Sequence, residues 1–158
     1  MKTIFTLLVT LPMLLLCSSF PSYAQSVKVR IISAKDAKPL KDQPIIVSLL
    51  YDNTQKRPPD LETTIRINSD ANGEASFALP QPAPAHLGAQ VRLTSDNWRC
   101  ACLTLATSQD VLGKGITVTA AGQKSPGSLP AVAHPAEILF FARPLTFFER
   151  LLEPLVKQ

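Results

Sequence analysis

The most distinctive chemistry in this chain belongs to two cysteines, Cys100 and Cys102, in the stretch WRCAC. One residue separates them. On a straight strand, positions i and i+2 share a face with Cα atoms about 6.6 Å or more apart, near the limit for a disulfide. A bridge between them would need a kink or bulge, and would be strained and reducible. Two free thiols packed beside Trp98 are a second arrangement. A third is a soft-metal site using both sulfurs, with His86 or His134 as helper. Cys-x-Cys alone is a weak metal signal, because zinc sites favour wider spacing and more ligands. The reading adopted is a disulfide or a buried thiol pair at Cys100 and Cys102, with metal ligation by the same two residues as the alternative. No cofactor is expected.

Other reactive constellations are missing from the sequence. His86 and His134 each lie in a Pro/Ala-rich segment, where a lone imidazole is usually just solvated. There is no Ser elbow, phosphate-binding loop, His-rich metal helix or spaced carboxylate pair. Asp70 and Asp96 each have a local role available as turn formers. The sequence therefore predicts no catalytic residue, and the chain is expected not to be an enzyme.

The first 24 residues read as a leader rather than as part of the fold. Lys2 supplies a positive start, Ile4 to Leu16 an apolar stretch, and Ser22-Tyr23-Ala24 the small residues of a cleavage site, so cleavage is expected between Ala24 and Gln25. The apolar stretch is short for a membrane span and Pro12 interrupts it. Cys17 would be the lipidated residue of a lipoprotein, but Leu16 before it is too large for that signal. Export places the mature chain in a secreted or periplasmic compartment, where disulfides are expected. Removing residues 1–24 leaves 134 of the 158 residues and takes away Lys2, so 15 basic residues face 12 acidic ones. That is enough chain for one domain with a core. The charges are scattered, with no basic stripe among aromatics, so no nucleic-acid partner is expected.

The remaining elements follow from periodicity. SVKVRIIS and IIVSLL alternate as opening strands. In TTIRIN, Ile65 and Ile67 share one face; in EASFAL, Ala75, Phe77 and Leu79 do. The turn cluster Ser69 to Gly73 between them predicts a β-hairpin, because Asn72 and Gly73 both tolerate positive φ. PQPAPAHLG, Pro80 to Gly88, reads as a Pro-rich connector, followed by a strand in AQVRLTS. NWRCACLTLAT reads as one strand, SQDVLGKGITVTA as a turn and then a short strand from Ile116, and EILFFAR as the last strand. Short strands at regular spacing predict an all-β sandwich of about seven strands over residues 25–120. Residues 121–136 are an Ala/Pro/Gly-rich linker or loop, and residues 137–158 a final strand and an amphipathic C-terminal helix. In that helix Leu145, Phe148, Leu152 and Leu155 can share a face. The helix is expected to pack on the sandwich or a partner protein, with contact to a membrane surface through 144–158 as the lesser reading.

The run DAKPLKDQPIIVSL followed by SDANGEASFALP resembles the carboxypeptidase-regulatory-like and transthyretin-like domains, a group shared with bacterial Ig-like modules. Their Asp-x-x-Gly-x-x-x-Phe pattern is matched by Asp70, Gly73 and Phe77. The resemblance covers roughly residues 26–118. It implies a Greek-key sandwich of prealbumin-like or Ig-like topology, and it implies no peptidase activity. Transthyretin-like hydroxyisourate hydrolases use a His in the first strand and a C-terminal Tyr-Arg-Gly-Ser; here the strand is VKVRIIS and the chain ends LVKQ. Adhesin domains of similar architecture crosslink a Lys to an Asn between first and last strands; Lys28 is available, but ITVTA and EILFFAR contain no Asn. The expectation is a non-catalytic secreted or periplasmic accessory contacting another protein or a cell-envelope component. The alternative is a soft-metal or thiol-redox protein using Cys100 and Cys102. The Tyr51–Leu61 loop and the Pro80–Gly88 connector are the expected contact surfaces.

Overall fold

Alternation of apolar and polar residues builds the first strand. β1 (Ser26–Ser33) turns Val27, Val29 and Ile31 inward, all fully buried, while Lys28 and Arg30 face out. The computed structural model describes residues 25–52, 54, 62–95, 98–100, 103–119 and 131–146. Within them, β2 (Pro44–Leu50), β3 (Thr64–Asn68), β4 (Glu74–Ala78), β5 (His86–Val91), β6 (Trp98–Cys100), β7 (Leu103–Thr107), β8 (Ile116–Val118) and β9 (Glu137–Pro144) follow, with one helix, α1 (Ser108–Lys114), between β7 and β8.

Two sheets pack face to face. One runs β4-β1-β9-β6, with β8 also paired to β9; the other runs β3-β2-β5-β7. The core between them is apolar. It takes Val29 and Ile31 from β1, Val47 and Leu49 from β2, Leu87 and Ala89 from β5, and Ile138 and Phe140 from β9. β9 is buried on its other face too. Leu139 and Phe141 join Ile32 in a smaller cluster under Ala131 and Ala133. This is why EILFFA is a continuous apolar run instead of an alternating one. β9 lies parallel to β1, with Ile31 level with Phe140.

The all-β sandwich holds, with nine strands rather than about seven among the described residues. Four local expectations change. The Ser69–Gly73 turn does not close a hairpin, because β3 and β4 belong to different sheets. It is an arch between layers, in which the Asp70 carboxylate accepts from the N–H groups of Asn72 and Glu74 at 2.8 and 2.9 Å. The stretch expected to be one strand at NWRCACLTLAT is two, β6 in one sheet and β7 in the other. The Pro-rich connector ends earlier than expected, since His86 to Gly88 already pair with β2. The segment expected to be a turn at SQDVLGK is α1, with Thr107 as N-cap and Gly115, at φ 75°, after its last residue. Of the expected C-terminal helix, Pro144 instead ends β9 and the part beyond Thr146 lies outside the described residues, as does the expected leader 1–24. Leu145 is buried. No helix among the described residues is long and apolar enough to cross a membrane.

Candidate functional site

The cysteine stretch occupies a corner of the sandwich. Trp98 pairs with Pro144 and Cys100 with Ala142 in the first sheet; Leu103 then pairs with Gln90 in the second. The chain therefore changes sheets between Cys100 and Leu103, and strands switch sheets through such bends. Cys100 is disulfide-bonded, and both Trp98 and Cys100 pack against the main core. Residues 101–102 lie outside the described residues. The corner supplies the break in a straight strand that an i,i+2 bridge needs.

The histidines do not gather at this corner. His86 opens β5, exposed, level with Thr107 and Leu50. His134 precedes β9, whose level with Cys100 is Ala142, about 17 Å along the strand from Glu137. Among the described residues, no group of three or more His, Cys, Asp or Glu side chains comes together. Of the expected contact loops, Tyr51–Leu61 lies mostly outside the described residues. The connector is held in place: Tyr51 Oη donates to the Pro82 carbonyl at 3.5 Å and Ser108 Oγ to the Pro84 carbonyl.

Among the described residues, a shallow groove lies on the outer face of each sheet. The first, about 350 Å³, runs between Lys28, Ser76 and the His134–Glu137 segment. Its anchor is Glu137, which is 4% exposed. Oε1 of Glu137 sits 2.7 Å from Arg30 Nε, and Oε2 accepts from the His134 N–H at 2.8 Å. The Arg30 N–H does not point along that short contact, so the pair is ionic without being a hydrogen bond. Lys28 Nζ adds a 2.9 Å pair to Glu74. Every charge in this groove that could meet a ligand is already matched by a neighbour. That suits a role in holding β9 to β1.

The second groove, about 530 Å³, crosses the four-stranded sheet and is lined by Pro44, Ile46, Arg66, Asn68 and Arg92. Strand parity places Pro44 and Ile46 outward on β2, opposite Asn68 and Arg66 of β3. Arg92, just past β5, donates its backbone N–H to the Pro44 carbonyl at 2.8 Å. Both arginines are exposed. Neither has an ion-pair or hydrogen-bonding partner for its side chain among the described residues. The same outer face carries Leu50, Leu103 and Leu105, which are 43%, 69% and 64% exposed. β7, which bears the last two, is an edge strand of its sheet. The sequence reading did not single out Arg66, Arg92 or these leucines. Parity alone turned Arg66 outward, but its neighbour Arg92 follows only from strand order.

No family profile matches the chain, and no curated protein matches it. Among solved structures it is similar to 3-chlorocatechol 1,2-dioxygenase from Rhodococcus opacus 1CP, at 15% identity and a TM-score of 0.43, over 76% of this chain. The chain spans 59% of that structure's length. The expectation that this chain is not an enzyme is corrected by that finding, because a protein it resembles is itself an enzyme. A likeness this distant assigns no activity, and no residue of that enzyme's chemistry is carried over.

Proposed function

We propose that the chain is an exported β-sandwich module that binds another secreted or envelope protein through the outer face of its four-stranded sheet. The observation that carries this is the exposure of Leu50, Leu103 and Leu105 on a face that also holds two arginines without side-chain partners among the described residues. Grouped exposed apolar side chains mark interaction surfaces. The aliphatic, cationic character of the face fits an acidic and apolar protein surface. Export is supported by the leader-like sequence pattern of residues 1–24. Kinship to the carboxypeptidase-regulatory-like and transthyretin-like domains is supported by the three residues that carry the resemblance. Asp70 closes the arch, Gly73 adopts φ 70° and Phe77 is buried. The soft-metal alternative is not favoured, because a sulfur engaged in a disulfide offers no thiolate to a metal.

A photo-crosslinking residue placed at Leu105 in the exporting host tests the proposal, with the same residue at Asn72, in the exposed arch between the layers, as control. The expected result is an adduct at 105 to one defined protein, lost in the Leu103→Asp background and absent at 72. An identical pattern at both positions would overturn it, as would crosslinks confined to residues 147–158 of the same chain, which would make the face a seat for the protein's own tail.

A further inference from the structure

We infer that the Arg66–Arg92 groove docks an extended acidic peptide segment of the partner, with two carboxylates flanking one apolar side chain at alternate positions. The inference rests on the reading of this face as a contact surface and names the chemistry that the groove would recognise. Arg66 stands level with Ile46 on one side of β2, and Arg92 level with Pro44 on the other. Strands about 4.8 Å apart and a two-residue offset along β2 put the two arginine Cα atoms about 12 Å apart. In an extended peptide, residues i and i+4 lie on one side, about 13 Å apart, with residue i+2 between them. Glu-x-Leu-x-Glu therefore places a carboxylate over each guanidinium and a leucine over Ile46 and Pro44.

The donors suit that ligand. A guanidinium presents a planar fork matched to a carboxylate, and an exposed one without an acidic neighbour has that fork free. A nearby carboxylate would have silenced either arginine, as Glu137 silences Arg30 in the other groove. The floor is aliphatic, and among the described residues Asn68 is the only side-chain amide lining the groove. A sugar polymer, whose hydroxyls need many paired donors and acceptors, finds few here.

The test titrates acetyl-Glu-Ser-Leu-Ser-Glu-amide into the purified chain and follows backbone amide shifts, with the Gln-Ser-Leu-Ser-Gln peptide and inorganic phosphate as comparisons. Shifts should centre on Ile46, Arg66, Asn68 and Arg92. Binding should weaken about tenfold in the Arg66→Gln/Arg92→Gln double variant. Both side chains are exposed, so that variant should keep its melting temperature, which separates lost recognition from lost fold. Shifts centred elsewhere, or equal binding of the glutamine peptide, would overturn the inference. So would phosphate producing the same shifts with the same dependence on the arginines, because the groove would then be a simple anion site. The crosslinking at Leu105 reads a different strand, so a failure there and a failure here are told apart.

Discussion

Gly73 carries two separate constraints. Its φ is 70°, which side-chain-bearing residues resist. A Cβ built on it would also lie 2.5 Å from the Ile31 carbonyl oxygen, because the arch folds directly onto β1. The Gly73 carbonyl in turn accepts from the Ile31 N–H at 2.8 Å. Gly73→Val should therefore cost about 1–3 kcal/mol, read from urea or thermal unfolding, and an unchanged curve would refute the close approach. Phe77 tests the strand parity. It is 6% exposed between the layers, so Phe77→Ala should cost about 3–5 kcal/mol. A loss under about 1 kcal/mol would put the ring on the solvent face. Both residues were legible from the sequence, because turn chemistry and period 2 are local properties. Which strand the turn faces is not local, and there the sequence pointed to the wrong neighbour. The same turn residues serve a hairpin within one sheet or an arch between two, and only the burial of both layers together decides.

At the scale of elements, α1 shows a signal that was present and unread. Thr107 caps the helix, its hydroxyl accepting from the Asp110 N–H at 3.1 Å and donating to the Asp110 carboxylate at 2.7 Å. Lys114 reaches back to Asp110 at 3.0 Å, and Gly115 ends the helix. Cap, acidic third position, basic last turn and terminal glycine form a complete start-and-stop pattern. Seven residues gave too short a window for helical periodicity to stand out. The Thr107 hydroxyl first, and then Lys114, hold the Asp110 carboxyl below its ordinary value. A depressed folded value means a contribution present above the ordinary Asp range and lost as pH falls through the folded value. Thr107→Val should raise the Asp110 pKa toward the ordinary value, seen by carboxyl carbon titration, and start the acid fraying of α1 at a higher pH. The lost cap should itself cost about 1 kcal/mol. A titration identical to that of the parent chain would show that the hydroxyl does not hold the carboxylate. The corner at Cys100 was half legible: a bridge at that spacing would need a bend, but the stretch read as one strand and nothing in it said that the chain would pass to the other sheet. The candidate groove was least legible, since Arg66 and Arg92 line one groove only because β3 and β5 flank β2.

At the scale of the molecule, the order of strands makes the end of the chain part of the centre of the fold. β9 sits between β1 and β6 in its sheet, with β8 also on it, although 18 residues separate β8 from it in sequence. It gives the interior Ile138, Leu139, Phe140 and Phe141, all fully buried. Burying each such side chain contributes about 1.5–3 kcal/mol, so the four together supply about 6–12 kcal/mol. A domain of this size has a net stability of about 5–15 kcal/mol. The contribution of one strand thus matches the whole margin. Its loss would also leave the long edge of β1 unpaired and strip the partner from the Arg30–Glu137 pair. A chain of residues 25–120, the boundary suggested by composition, should therefore fail to fold, giving no cooperative melting transition and little amide exchange protection. A chain of residues 25–146 keeps β9 and should melt cooperatively. A sigmoidal transition from 25–120 alone would mean that the other strands close the sandwich without β9, and would overturn its place at the centre of the sheet.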